Sequence, residues 1–116
     1  TNIQELKEKI KKFVDERDWD KIHTTKDLGI GIITEAGELL DHFRFKSQEE
    51  IDAMFKDLKK REHLSDELAD IMYFLLRIAY RYDIDMSEAV EHKTKKNAEK
   101  YPIEKAKGSN KKYNEF

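Results

Sequence analysis

Leu64-Ser65-Asp66-Glu67-Leu68-Ala69-Asp70-Ile71-Met72-Tyr73-Phe74-Leu75-Leu76 is one of the few apolar stretches in a very polar sequence. Leu64, Leu68, Ile71, Leu75, Ile78 and Tyr82 recur at helical spacing, which predicts an α-helix burying one stripe. Glu67 and Asp70 sit three residues apart on the shoulder of that stripe, where their carboxylates can point at one spot. Upstream, Leu28, Ile32, Leu39 and Phe43 make a second helical stripe. Glu35 falls on its line at a position that should be apolar, and Glu38 follows at i+3. Two carboxylates on each of two helices at the edge of a core repel one another unless something positive lies between them. A hard divalent cation is the simplest candidate.

Spacing alone does not single out this quartet. The chain is 41% charged, and Glu5/Glu8, Asp15/Asp18, Glu49/Asp52 and Glu88/Glu91 show the same spacing while reading as solvated helix faces. The placement of Glu35 on an apolar line is what sets the quartet apart.

The 116 residues are expected to form a single domain over 1–116, with 102–116 a polar C-terminal tail. A net charge of −2 argues against a dedicated nucleic-acid binder, although Lys93 to Lys112 holds eight lysines against two glutamates. Cysteine is absent, which removes thiol chemistry and fits a reducing compartment. No run is apolar enough to span a membrane, and the polar N-terminus does not read as a signal peptide, so a soluble, cytoplasmic protein is expected. One proline and four glycines among many helix formers predict an all-α fold.

In chain order, residues 2–18 read as a first helix on Ile3, Leu6, Ile10 and Phe13. The connection that follows holds the only tryptophan, Trp19, and His23; Trp19 is either a core plug or a ligand platform. A second helix is expected over about Lys26–His42, capped by Thr24 or Thr25. Gly29, Gly31 and Gly37 inside it suggest that another group approaches the backbone closely. Ser47 and Glu50 form a capping box for a third helix. Whether the charged 56–63 region is continuous helix or a break is left open by the pattern. Asp85 and Glu88 signal a last helix, about Met86–Lys100. Its line of Met86 and Val90 continues into Lys93, Asn97 and Lys100, so it either runs out into water or lines a cavity for an anion. Tyr101-Pro102 ends it.

Carboxylates for Mg²⁺ beside a lysine–asparagine–tyrosine face suggest phosphoryl or nucleotidyl chemistry, in which positioning and charge neutralisation supply most of the rate. There is no Walker sequence. No Glu-x-x-His is present, which counts against a ferritin-like di-iron bundle. The segments Glu35-Ala36-Gly37-Glu38 and Glu67-Leu68-Ala69-Asp70 resemble the E-x-x-E…E-x-x-D signature of the MazG-like all-α nucleoside triphosphate pyrophosphohydrolases, with the dCTP pyrophosphatase branch the nearest likeness. Glu16-Arg17-Asp18-Trp19, His23-Thr24, Lys93, Asn97, Lys100-Tyr101-Pro102 and Gly108-Ser109 extend it over nearly the whole chain.

That resemblance implies a four- to five-helix bundle assembled as a homodimer or dimer-based homotetramer. It also implies hydrolysis of a nucleoside triphosphate between the α and β phosphates, giving the monophosphate and pyrophosphate. By similarity, Glu35, Glu38, Glu67 and Asp70 carry Mg²⁺ and the catalytic chemistry. Lys93, Asn97, Lys100 and Tyr101 contact phosphates or sugar, and Trp19 and His23 hold the base. Thr34, Phe45 and Phe74 depart from the branch: Phe45 stands where a stacking tryptophan is frequent, and Phe74 where a tyrosine is. Phe45 can still stack, whereas the missing hydroxyl at Phe74 bears on base and sugar selectivity. Two other readings compete, a non-enzymatic helical dimeric module and a pyrophosphohydrolase of different base preference.

Overall fold

A computed structural model of the chain describes residues 1–111 and Asn114. Among these residues every regular element is helical. The chain divides into two compact units, Thr1–Asp83 and Ile84–Phe116.

The first unit begins with α1 (Ile3–Asp15), where the Asn2 side chain accepts the N–H of Glu5. The helix expected to reach residue 18 stops at Asp15, because Asp18 adopts a left-handed φ of 54° and turns the chain into a short 3₁₀ segment, Trp19–Lys21. Helix α2 (Thr25–Phe43) opens with a reciprocal capping box between Thr24 and Asp27. Helix α3 (Gln48–Lys56) opens with the expected one between Ser47 and Glu50. The 56–63 region does break, at Asp57, which leaves helical geometry and caps the next helix by accepting the N–H groups of Lys59 and Lys60. From there α4 (Leu58–Arg81) runs without interruption through the stretch quoted above.

Helix α4 organises this unit by packing against α2, α1 and α3. The core is small: Val14, Leu28, Leu64, Leu76 and Ala79. Burial of each larger aliphatic side chain contributes roughly 1.5–3 kcal/mol. The stripe expected on α4 is corrected in part. Leu64 is buried, but Leu68 and Tyr82 are about half exposed, while Glu67 and Arg77 are buried in their stead. A single stripe describes a helix with one neighbour; α4 has several, so its buried residues spread round the cylinder. Tyr82 also lies just beyond the helix, as its C-cap. Of the glycines in α2, only Gly31 meets a close neighbour. A Cβ there would lie 2.8 Å from the Phe74 ring, whereas one at Gly29 or Gly37 would meet nothing within 4 Å.

The second unit is built on α5 (Met86–Lys100), whose N-terminus is capped by Asp85 accepting from Ser87 and Glu88. Residues 91–100 are exposed throughout. Pro102 precedes a short helix, α6 (Ile103–Ala106), inside the segment expected to be a polar tail. The remainder of that expectation, at Lys112, Tyr113, Glu115 and Phe116, falls outside the described residues. No described helix is long and apolar enough to cross a membrane.

Candidate metal centre and nucleotide cleft

Helices α2 and α4 bring the four signature carboxylates into one electrostatic group. Burial pushes the Glu35 carboxyl above the ordinary range; the charges of Glu38 and Asp70, a hydrogen bond with Glu38 and the charge of Glu67 push it the same way. Glu67 is almost wholly buried. Its Oε1 lies 3.1 Å from Nε2 of His42 and 3.8 Å from Nε2 of His63, while Oε2 is buried with no hydrogen-bond partner. An unpaired carboxylate oxygen in such a place is costly unless a positive group meets it. Crowded, oxygen-only donors with one orphaned oxygen fit a hard dication.

The two histidines were not among the residues singled out from sequence. Both stand one helical turn from a signature glutamate, His42 after Glu38 and His63 before Glu67. A search confined to Glu-x-x-His passes over that spacing.

Beside Asp70 lies an apolar cleft of about 750 Å³ lined by Phe13, Trp19, Met72, Tyr73 and Leu76 among others. Trp19 meets Phe13 edge-on at 5.6 Å between ring centroids, and Phe13 meets Tyr73 at 6.4 Å. Trp19 therefore packs at the joint between α1 and α4 and also walls the cleft.

The 3₁₀ segment carrying Trp19 is held by a polar network that sequence reasoning missed. Asp20 accepts hydrogen bonds from Arg77 (3.2 Å), Arg81 (2.9 Å) and Tyr80 (2.7 Å). His23 lies 5.6 Å from Trp19, ring to ring, and its Nδ1 accepts from buried Arg77 at 3.0 Å. Its backbone carbonyl accepts from Arg81 at 2.7 Å. Burial works to raise the Asp20 carboxyl, but the three hydrogen bonds and the charge of Arg81 outweigh it and hold the group below its ordinary value. Tyr80 is pushed up to about 12 by burial and by its bond to Asp20. Arg77 is the only arginine in an otherwise apolar run, Phe74 to Ala79, and that is the signal the sequence offered.

Phe45 is 93% exposed and lies outside the cleft lining, with a left-handed φ of 63° and the Arg44 guanidinium 4.9 Å from its ring centre. Lys93, Asn97 and Lys100 lie on α5 in the second unit, and Tyr101 follows as its C-cap, with its N–H on the Asn97 carbonyl at 2.8 Å. All four are exposed.

Comparison with known proteins places the chain in a family. The model of the MazG-like family matches residues 30–116. The chain is 31% identical to dCTP pyrophosphatase 1 of Mus musculus over 114 residues, covering 98% of this chain and 67% of that protein. It is 30% identical to dCTP pyrophosphatase 1 of Homo sapiens, with the same coverage of each. The crystal structure of a pyrophosphatase from Archaeoglobus fulgidus superposes with a TM-score of 0.78 at 34% identity, over 86% of this chain and 92% of that one. Paired carboxylates on two packed helices, an aromatic cleft beside them and these matches lead to one conclusion: the chain belongs to the MazG-like family.

Proposed function

We propose that the chain is a Mg²⁺-dependent pyrophosphohydrolase of dCTP-like deoxynucleoside triphosphates, releasing the monophosphate and pyrophosphate and so clearing a cytoplasmic nucleotide pool. That it is a nucleoside triphosphate pyrophosphohydrolase follows from its family and from relatives named for that activity. The observation that carries the finer reading is the carboxylate group itself: four acids on two helices, with one buried oxygen left unpaired.

Glu35, Glu38, Glu67 and Asp70 would hold Mg²⁺, which when bound neutralises phosphate oxygens and so favours attack on phosphorus. Stacking in the Trp19 cleft orients the base, with Asp70 at the cleft rim tying base position to the metal residues. The Asp20 network anchors the segment that carries Trp19 and His23. His42 turns Glu67 by engaging Oε1 and leaving Oε2 free. The same reading gives contacts to phosphates or sugar to Lys93, Asn97, Lys100 and Tyr101, supported by the cationic run of α5 itself.

Self-association into a dimer or tetramer belongs to this proposal. Ile30, Ile33 and Leu40 on α2 and Leu68 and Met72 on α4 are 43–74% exposed. Large apolar side chains left uncovered on two adjoining helices favour burial against another copy. A panel of deoxynucleoside and nucleoside triphosphates with Mg²⁺, resolving pyrophosphate from phosphate release, tests the activity. Pyrophosphate from dCTP above the other substrates is expected; phosphate release, or no turnover of any triphosphate, would contradict it.

A further inference from the structure

We propose that His42, His63 and the Oε1 atom of Glu67 form a site for a borderline transition dication such as Zn²⁺, which shares Glu67 with the Mg²⁺ donors and differs from them by its two imidazole nitrogens. His42 comes from the last turn of α2, while His63 and Glu67 stand at i and i+4 on one face of α4. Such a helical pair presents two donors to one ion, as in zinc-binding helices. The three ligand atoms lie within 4.8 Å of one another.

Distances favour an ion over plain hydrogen bonding. Bonds of about 2.0–2.1 Å in a tetrahedral site place neighbouring ligand atoms roughly 3.3 Å apart. The two Nε2-to-Oε1 separations, 3.1 and 3.8 Å, bracket that value. A hydrogen bond accounts for His42 alone, because 3.8 Å is too long for His63 to donate. Yet the His63 ring still packs edge-on against that of His42, with centroids 5.1 Å apart. The donor set is also selective. Imidazole suits Zn²⁺, Cu²⁺, Ni²⁺ and Fe²⁺, whereas Mg²⁺ prefers oxygen.

Three protein ligands leave a fourth position of a tetrahedral ion open. Both histidines line a cleft of about 930 Å³, which supplies an entry path for the ion and room for water or an anionic ligand near Lys46, Lys59 and Lys60.

The test uses Co²⁺, whose visible absorption is intense when four-coordinate with nitrogen ligands and weak when octahedral in oxygen. Chelator-treated full chain is titrated with Co²⁺ in excess Mg²⁺. One intense Co²⁺ chromophore per protomer is expected, displaced by Zn²⁺. His42→Ala and His63→Ala should each weaken uptake by roughly 100-fold or more, since losing even an outer-shell partner costs about 10–100-fold. His63 is largely exposed, so His63→Ala keeps the fold, which helical circular dichroism checks. Glu35→Gln, which removes a proposed Mg²⁺ ligand that this site does not share, should leave the chromophore unchanged, so failure of this site and failure of the Mg²⁺ reading are distinguishable. Weak octahedral bands only, a chromophore surviving in both histidine variants, or its loss in Glu35→Gln would each overturn the proposal.

Discussion

Asp20 shows how a single residue ties the fold to the cleft. It joins Arg77, Tyr80 and Arg81 of α4 to the 3₁₀ segment that positions Trp19. Removing one partner of a buried charged pair leaves the other uncompensated, so Asp20→Ala should cost on the order of 3 kcal/mol in chemical denaturation. The network also sets a pH dependence. Tyr80 is raised to about 12 in the folded state, so its contribution is complete below about 10, the unfolded phenol value. It should be lost as pH rises from there through 12. Asp20 is lowered, so its contribution is present above the unfolded carboxyl value and lost as pH falls. Tyr80→Phe should flatten the alkaline limb of a stability–pH curve; an unchanged limb would remove Tyr80 from this account. At the same scale, Trp19→Ala should weaken triphosphate binding about tenfold or more, since base stacking is typically worth roughly 1–3 kcal/mol. Equilibrium binding of a non-hydrolysable analogue, with the fold checked by circular dichroism, measures it.

Among elements, the α2–α4 pair sets the positions of the acids, and its closeness depends on Gly31. A methyl group at that position would strike the Phe74 ring. Overpacking costs roughly 1–3 kcal/mol, partly offset by about 1 kcal/mol of helix propensity. Gly31→Ala should therefore destabilise by about 1 kcal/mol, whereas Gly29→Ala, which meets open space, should be neutral or stabilising. Thermal melts of the two variants compare them directly. The helices themselves were legible from local signals. Thr24 and Ser47 announce their caps, periodicity marks α2 and α4, and Asp85 opens α5 at the residue expected. What was not legible depends on contacts between segments distant in sequence. Nothing local says that Arg77 will find Asp20, or that His42 and His63 will meet over Glu67. Nor does a charged stretch reveal that Asp57 interrupts it, since aspartate serves equally well on a solvated helix face. The convergence of the signature carboxylates could be argued from one misplaced glutamate, Glu35, but the orphaned oxygen of Glu67 belongs to the folded state alone.

At the scale of the whole molecule, the proposed self-association rests on a core that holds five fully buried apolar residues among those described, beside the exposed Ile30, Ile33, Leu40, Leu68 and Met72. Sedimentation at micromolar concentration should show a dimer or larger species, and Ile33→Glu should dissociate or unfold it. A folded wild-type monomer at that concentration would contradict this. The central claim concerns the four carboxylates, and calorimetric melting with and without Mg²⁺ tests it most directly. Mg²⁺ should raise the melting temperature of the wild type by mass action on the native state. The increment should shrink in Glu35→Gln and Asp70→Asn but persist in Glu5→Gln, whose acid lies on the exposed face of α1. In the absence of metal, Glu35→Gln should melt no lower than the wild type, because it relieves repulsion among the acids. Equal Mg²⁺ increments in the wild type and all three variants would contradict the account.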